Sequence, residues 1–115
     1  MSRSRSDTSA AKRRHHAALF AALGDETRLS LVTTLSGGEP RSIAQLTGGS
    51  KMTRQAITKH LRALESAGIV HSARAGRESL FEFDPQPMHE LQEYLGRVSA
   101  QWDQVLSRLK TLVES

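Results

Sequence analysis

The chain has 115 residues, in which 16 Lys and Arg outnumber 12 Asp and Glu, so that its formal charge is +4 and its pI is about 10.1. This length predicts one domain, and no apolar stretch reaches the roughly 18 to 20 residues of a membrane helix. The absence of cysteine excludes disulfides, zinc–thiolate sites, a Cys nucleophile and thiol-based sensing. The amino terminus lacks a signal-peptide pattern, so we expect a cytoplasmic protein.

The charge is divided into alternating blocks along the chain. Residues 1–16 sum to +4 and residues 50–79 to +4, whereas residues 17–49 sum to −1 and residues 80–115 to −3. The first block has few apolar residues, which predicts a basic flexible arm, disordered or partly helical, over residues 1–14 and a folded domain over residues 15–115. The second block lies in an apolar-periodic segment, so its charges are displayed on a folded surface. Such a surface suits a polyanion, although basic surfaces also serve solubility alone.

Two helices are predicted in the first third of the chain. Residues 10–23 are rich in Ala, and we expect this helix to end at Gly24 in a left-handed conformation. Asp25 is a good N-cap for a second helix, which Gly37 and Gly38 end.

Two further helices follow, separated by a tight turn. Ser42 and Gln45 have the spacing of a capping box ahead of a short helix that ends near Thr47. Thr53 is positioned to cap a longer helix, 53–67. Apolar residues recur along this helix at positions that predict a buried stripe, formed by Ile57, Leu61 and Leu64. The side chains that this pattern turns outward are Arg54, Gln55, Thr58, Lys59 and Arg62.

The last part of the chain predicts a hairpin and a long helix. Residues 69–74 and 79–84 favour strands, and residues 75–78 form the loop between them. The helix that follows, about 87–113, carries apolar residues at heptad spacing, namely Met88, Leu91, Leu95, Val98, Trp102, Val105, Leu109 and Leu112. A heptad seam can lie on the chain's own core, on a partner helix, or on both. The predicted fold is mainly α with a small β-hairpin: a winged helix-turn-helix of five helices and a two-stranded wing.

This order of elements points to DNA. A helix of this size fits the major groove, where Arg can pair with guanine, Gln can pair with adenine, and Thr can contact a base through either its hydroxyl or its methyl group. The predicted base-reading residues are therefore Arg54, Gln55 and Thr58. The predicted phosphate-binding groups are Lys51, Lys59 and the amides at the helix start near Ser42. The wing residues Arg74 and Arg77 are predicted to reach either the DNA backbone or the adjacent minor groove. The alternative is a solvated helix face and a charged loop that blocks edge pairing.

Three stretches of the sequence are similar to one known family. FAALGDETRLSLVTTL, SIAQLTGGSKMTRQAITKHLRALESAGIV and ARAGRESLFEF lie within residues 20–83, and together they resemble the ArsR/SmtB group of bacterial winged-helix repressors. The resemblance implies a homodimeric repressor whose terminal helices pack at a two-fold axis. It places Thr53, Arg54, Gln55, Thr58 and Lys59 at the recognition positions and Arg77 in the wing. The expected dimer interface comprises Leu19, Phe20, Leu91, Leu95, Val98, Trp102, Val105 and Leu109.

The chain departs from that family at its metal sites. In some members of that family a metal is bound by four residues along the last helix, the second, third and fourth of which lie 2, 13 and 16 residues after the first. Counted from Asp84, these positions hold Gln86, Arg97 and Ala100; counted from His89, they hold Leu91, Trp102 and Val105. Neither is a plausible ligand set. We therefore expect no metal and no cofactor, and the effector stays open. Of the scattered histidines, we expect His60 to pack or hydrogen-bond within the helix-turn-helix.

The sequence therefore predicts a DNA-binding transcriptional regulator. The leading hypothesis is a homodimeric repressor that binds an inverted-repeat operator through helix 53–67 and wing 74–78. The alternative is a winged-helix module that binds DNA without sequence preference or binds another protein. No acid pair, activated nucleophile or phosphate-binding glycine loop predicts an enzyme.

Overall fold

A computed structural model of the protein describes residues 5–114, and the side chains of residues 8–114. Within this range the chain forms five helices and a three-stranded antiparallel sheet. In chain order the elements are α1 (Arg5–Leu23), α2 (Glu26–Leu35), β1 (Arg41–Ser42), α3 (Ile43–Thr47), α4 (Arg54–Ser66), β2 (Val70–Ala75), β3 (Glu78–Phe83) and α5 (Gln86–Glu114).

The first helix begins earlier than the sequence predicts. Residues 5–9, which precede the predicted helix 10–23, are also helical in the structure, and residues 1–4 lie outside the described range. Two contacts further along α1 tie this helix to α5. The Nε2 atom of His15 lies 2.6 Å from Oε2 of Glu90, and the rings of His16 and Tyr94 are 4.9 Å apart. Because Ala, Lys and Arg favour helix, the chain preceding these contacts continues the same helix.

The turn between α1 and α2 differs from the prediction in one detail. Gly24 is not among the glycines with positive φ, so the expected left-handed cap is wrong. The glycine serves close packing instead, because a Cβ atom built at this position would lie 3.3 Å from the carbonyl oxygen of Phe20. The prediction for Asp25 is confirmed: its carboxylate accepts a hydrogen bond from the amide of Arg28 at 2.9 Å.

The capping predictions for α3 and α4 are also confirmed. Ser42 and Gln45 form a reciprocal capping box, and the hydroxyl oxygen of Thr53 accepts a hydrogen bond from the amide of Ala56. At the other end of α4, Gly68 has a φ of +79°, and the amide of Ile69 donates to the Leu64 carbonyl over 3.0 Å. This left-handed closure turns the chain sharply into β2.

The sheet has three strands rather than the predicted two. Strand β1 contains only two residues, pairing Arg41 with Phe81 and Ser42 with Leu80, and it lies on the far side of β3 from β2. Two residues are too few to show an alternating pattern, which is why the sequence did not reveal this strand. Strands β2 and β3 form the predicted hairpin, with Ala75 opposite Glu78.

One core joins these elements, with residues from all five helices and from β2 and β3. Its members are Leu19, Leu31, Leu35, Leu46, Ile57, Leu61, Leu64, Ile69, Val70, Phe81 and Leu91. The expected buried stripe of α4 is therefore confirmed. Leu19 and Leu91, which we assigned to a dimer interface, are only 1% and 4% exposed and belong to the core of a single chain. Within residues 5–114, none of the helices combines the length and apolarity needed to cross a bilayer.

Candidate nucleic-acid interface

The helix-turn-helix consists of α3, the turn 48–53 and α4. Gly49 has a φ of +80° in this turn, and the amide of Met52 donates to the hydroxyl oxygen of Ser50 at 3.1 Å. The Met52 side chain packs against the core, and its sulfur accepts a hydrogen bond from the hydroxyl of Thr27 at 3.4 Å. These contacts hold the turn against α2. They therefore fix the position at which α4 begins.

The outer face of α4 presents most of the predicted base-reading and phosphate-binding groups. Arg54, Gln55 and Lys59 are exposed, as is Lys51 in the preceding turn. Thr58 is half-buried, and its hydroxyl donates a 2.7 Å hydrogen bond to the carbonyl of Arg54. The Thr58 oxygen retains its capacity to accept a hydrogen bond, and its methyl group can contact another apolar group.

A cleft brings four of the predicted site residues together. It has a volume of about 320 Å³ and lies where the start of α3, the first turns of α4 and the hairpin tip meet. Its lining includes the predicted residues Ser42, Arg54, Thr58 and Arg77. Sequence reasoning missed the other lining residues, Ile43, Ala44, Glu78 and Ser79, although the last two follow Arg77 directly in the chain. The remaining predicted residues, Lys51, Thr53, Gln55, Lys59 and Arg74, are not part of this lining.

Ser42 lines the cleft but is almost completely buried. It is 4% exposed, its hydroxyl oxygen accepts from the amide of Gln45 at 3.1 Å, and its own amide donates to Oε1 of Gln45 at 2.8 Å. Because both groups serve the capping box, the Ser42 side chain is no surface ligand. Its role is to order the first turn of α3, which borders the cleft.

A set of contacts that we term the wing clamp holds the hairpin against α4. Arg62 donates to Oε1 of Glu65 at 2.7 Å, and the hydroxyl of Ser72 in β2 donates to the other oxygen of that carboxylate. The Arg62 guanidinium also lies 5.5 Å from the ring centre of Phe81. The hydrogen bond from Ser72, followed by that from Arg62, lowers the pKa of Glu65 below its ordinary value.

The geometry of the hairpin places the two wing arginines on the side of α4. Residues two apart in a strand face the same side of a sheet, so Arg74 faces the same side as Ser72, toward α4. Its partner across the hairpin is Ser79, which lines the cleft. Arg77 follows Gly76, whose φ of +64° suits the first position of a two-residue hairpin loop. The tip of the wing is therefore basic on the side of the recognition helix.

His60 is half-buried and its hydrogen bond joins α4 to α2, beside the helix-turn-helix rather than within it as expected. Its Nδ1 atom lies 3.3 Å from Nη1 of Arg28 and 3.7 Å from Oδ2 of Asp25. Sequence reasoning assigned no site role to Arg28, because the two partners are 32 positions apart and no local pattern connects them. Among the side chains of residues 8–114, no group of three or more His, Asp or Glu is arranged to hold a metal ion.

A second surface lies on α5. Beyond Val98, every described residue of this helix is exposed. The exposed apolar residues include Leu95 at 50%, Trp102 at 61% and Leu109 at 52%. We term the row Leu95, Val98, Trp102, Val105 and Leu109 the α5 stripe. Phe20 on α1 is 38% exposed. Its ring lies against that of Tyr94 on α5, with ring centres 6.1 Å apart.

Comparison with known proteins shows where this chain belongs. A family described as a helix-turn-helix domain matches residues 23–73. YuzN, an HTH-type transcriptional regulator of Bacillus subtilis, is 39% identical over 80 residues, which cover 64% of this chain and 87% of that protein. Rv2034, an HTH-type transcriptional regulator of Mycobacterium tuberculosis, is 30% identical over 82% of this chain and 84% of its own length.

Solved structures agree. An ArsR-like transcriptional regulator from Rhodococcus sp. RHA1 is 36% identical, with a TM-score of 0.75 over 87% of this chain and 93% of that one. The homodimeric winged helix-turn-helix DNA-binding domain of Mb0332 from Mycobacterium bovis superposes with a TM-score of 0.67 at 23% identity, over 87% of this chain and 92% of that one. The chain therefore belongs to the ArsR family of winged helix-turn-helix, DNA-binding transcriptional regulators.

Proposed function

We propose that this regulator is a homodimeric repressor that binds an inverted-repeat operator through α4 and the wing. The observation that carries the proposal is the cleft in which Arg54 and Thr58 of α4 meet Arg77 of the wing. Base-reading and backbone-binding groups on one continuous surface can engage the major groove and the adjoining phosphates together. A repressor of this kind acts by covering a promoter, and we place it in the cytoplasm with its operator.

The roles within this surface follow from side-chain chemistry. The guanidinium of Arg54 can pair with guanine, the amide of Gln55 with adenine, and the methyl group of Thr58 with thymine. The other predicted groups carry positive charge or hydroxyls near the backbone and contribute affinity rather than sequence choice. They are Lys51, Thr53, Lys59, Arg74 and Arg77.

The α5 stripe supports the dimeric part of the proposal. Full burial of one large apolar side chain stabilises an assembly by about 1.5–3 kcal/mol, so a second copy that covers the stripe gains several such increments. The homodimeric state named for Mb0332 agrees with this use of the fold. Since Leu19 and Leu91 lie in the core of a single chain, the proposed interface consists of Phe20 and the α5 stripe.

The symmetry of such a dimer predicts the shape of its operator. Two recognition helices related by a two-fold axis contact half-sites about 34–36 Å apart, or about one turn of DNA. We expect selection from random duplexes, followed by footprinting, to give an inverted repeat with this spacing. A genomic pull-down without an enriched motif would instead favour binding without sequence preference.

Two matched variants of α4 test the assignment of roles. Arg54→Ala is expected to relax base preference at one position of each half-site, with a loss of about 1–3 kcal/mol on the preferred sequence. Lys59→Ala is expected to weaken all duplexes alike and to reduce the salt dependence of log K by about 1. Equal losses on every sequence after the Arg54 change would contradict direct base reading by that residue.

A further inference from the structure

Arg28 joins three helices through one guanidinium. Its Nε donates to the carbonyl of Ala22 at 2.6 Å and its Nη2 to the carbonyl of Ala21 at 3.4 Å, both at the end of α1. Its Nη1 lies 3.3 Å from Nδ1 of His60, in the middle of α4. We term these contacts the Arg28 link. Arg28 itself lies on α2, so the link connects α1, α2 and the recognition helix.

The direction of each hydrogen bond in the link is fixed by chemistry. A guanidinium only donates, so Nδ1 of His60 is the acceptor in this hydrogen bond. The end of a helix also favours a cation, because its last carbonyls carry partial negative charge. Asp25 faces the same ring with Oδ2 at 3.7 Å from Nδ1. The charged groups that contact His60 are thus Arg28 and Asp25, both from the α2 segment.

His60 lies on the side of α4 that faces away from the base-reading residues. At about 100° per residue, a position two residues from Thr58 is rotated by about 200° around the helix axis. The Arg28 link therefore acts on the side opposite the base-reading face, and it fixes how far α4 is rotated about its own axis. Base contacts depend more strongly on the rotation angle of α4 than phosphate contacts do, because bidentate hydrogen bonds are directional whereas charge attraction is not.

We propose that Arg28 and His60 are positioning residues that set the rotation of the recognition helix for sequence readout and connect that rotation to the end of α1. Neither side chain is assigned a contact with DNA. The inference rests on the proposed function, in that it requires a preferred operator. It extends that function by naming which residues behind the interface determine specificity.

The test compares affinity for the selected operator with affinity for a scrambled duplex of equal length at one salt concentration. His60→Leu removes the acceptor, and we expect it to weaken operator binding about tenfold. Binding to the scrambled duplex and the salt dependence are expected to stay within about twofold, because the phosphate-binding groups are unchanged. His60→Asn, whose Oδ1 lies close to the position of Nδ1 and restores an acceptor, is expected to recover most of the operator preference.

Two further variants separate positioning from stability. Arg28→Lys keeps the charge but cannot donate to three separated acceptors, so it is expected to reproduce the loss of preference and to add little to His60→Leu in a double mutant. Leu35→Val, in the core at the end of α2, should lower the melting temperature without changing the ratio of the two affinities.

The outcomes distinguish failure of the positioning role from failure of the proposed operator binding. If the unmodified protein prefers no duplex, the proposed operator binding is wrong. If it prefers an operator and both His60→Leu and Arg28→Lys retain that preference, the positioning role is wrong. The same conclusion follows if these variants weaken both duplexes equally, or if Leu35→Val changes the ratio as much as they do.

Discussion

The body of the protein, from Leu19 to Leu91, and the outer half of α5 use apolar residues in opposite ways. In the body, Leu19, Leu61, Phe81 and other core residues are nearly fully buried by elements of the same chain. Beyond Val98 the apolar residues of α5 are exposed, although they continue the same heptad spacing. A single chain thus completes its core and still presents a long apolar row.

One periodic pattern thus serves two purposes in succession along α5. Leu91 and Val105 occupy equivalent heptad positions, but Leu91 is 4% exposed and Val105 is 43% exposed. The first turns of α5 cover the core of the body, and the helix then continues beyond it. We infer that stability of the body depends on the chain alone, whereas order of the outer half of α5 depends on a second copy. The following changes separate the two regions.

The largest effect is expected in the body. Leu61 is fully buried in α4, so Leu61→Ala should lower the free energy of unfolding by about 2–5 kcal/mol. Urea denaturation measures the change. Because the α5 stripe is unaltered, the affinity between folded copies should be retained at low urea. A loss below about 1 kcal/mol would contradict the assignment of Leu61 to a tightly packed core.

In the α5 stripe, Trp102→Ala is expected to act on assembly rather than on folding. Large aromatic anchors contribute about 2 kcal/mol or more to protein interfaces, so sedimentation should show a shift from dimer to monomer and operator binding should weaken with it. Leu95→Asp should do the same. Ser107→Ala, on the opposite side of the helix, serves as the control. A monomeric unmodified protein would contradict the account.

A smaller effect is expected at the border between body and interface. Ser72→Ala removes one hydrogen bond of the wing clamp and should cost about 0.5–1.5 kcal/mol of stability. Faster amide hydrogen exchange in β2 and β3 would report the loosened hairpin. Ser72→Thr keeps a hydroxyl and should restore protection, whereas equal exchange in both variants would show that the hydroxyl does not hold the wing.

The smallest effect concerns the charge of one helix cap. The amide of Arg28 is the main cause of the lowered pKa of Asp25. A depressed folded-state pKa stabilises the protein above the carboxyl's ordinary pKa, and this contribution disappears as the pH falls through the folded value. Asp25→Asn should therefore lower the melting temperature at pH 7, with the difference from the native protein shrinking below about pH 4. A difference independent of pH would contradict this linkage.

The parts of the fold that sequence predicts well are those decided within a few residues. The caps at Asp25, Ser42 and Thr53 need only a side chain and an amide three positions ahead. The spacing of Ile57, Leu61 and Leu64 likewise identifies the buried face of α4. These local rules also gave Arg54 and Thr58, which the structure brings together with Arg77 in the cleft.

The rest depends on contacts between distant segments. Strand β1 exists because Arg41 meets Phe81 in the sheet, and the Arg28 link exists because α2 crosses α4. Periodicity marked Leu91 as apolar but did not tell which surface covers it, so a core residue was assigned to an interface. The contact of His15 with Glu90, 75 positions away, likewise joins α1 to α5 without any local sequence signal.

Selection of duplexes from a random pool by the full chain tests the central claim most directly. The account predicts an enriched inverted repeat whose half-sites are about one helical turn apart, bound by a dimer and relaxed at one position per half-site by Arg54→Ala. A pool that shows no enrichment at low salt, or an enriched single half-site bound by a monomer, would contradict it.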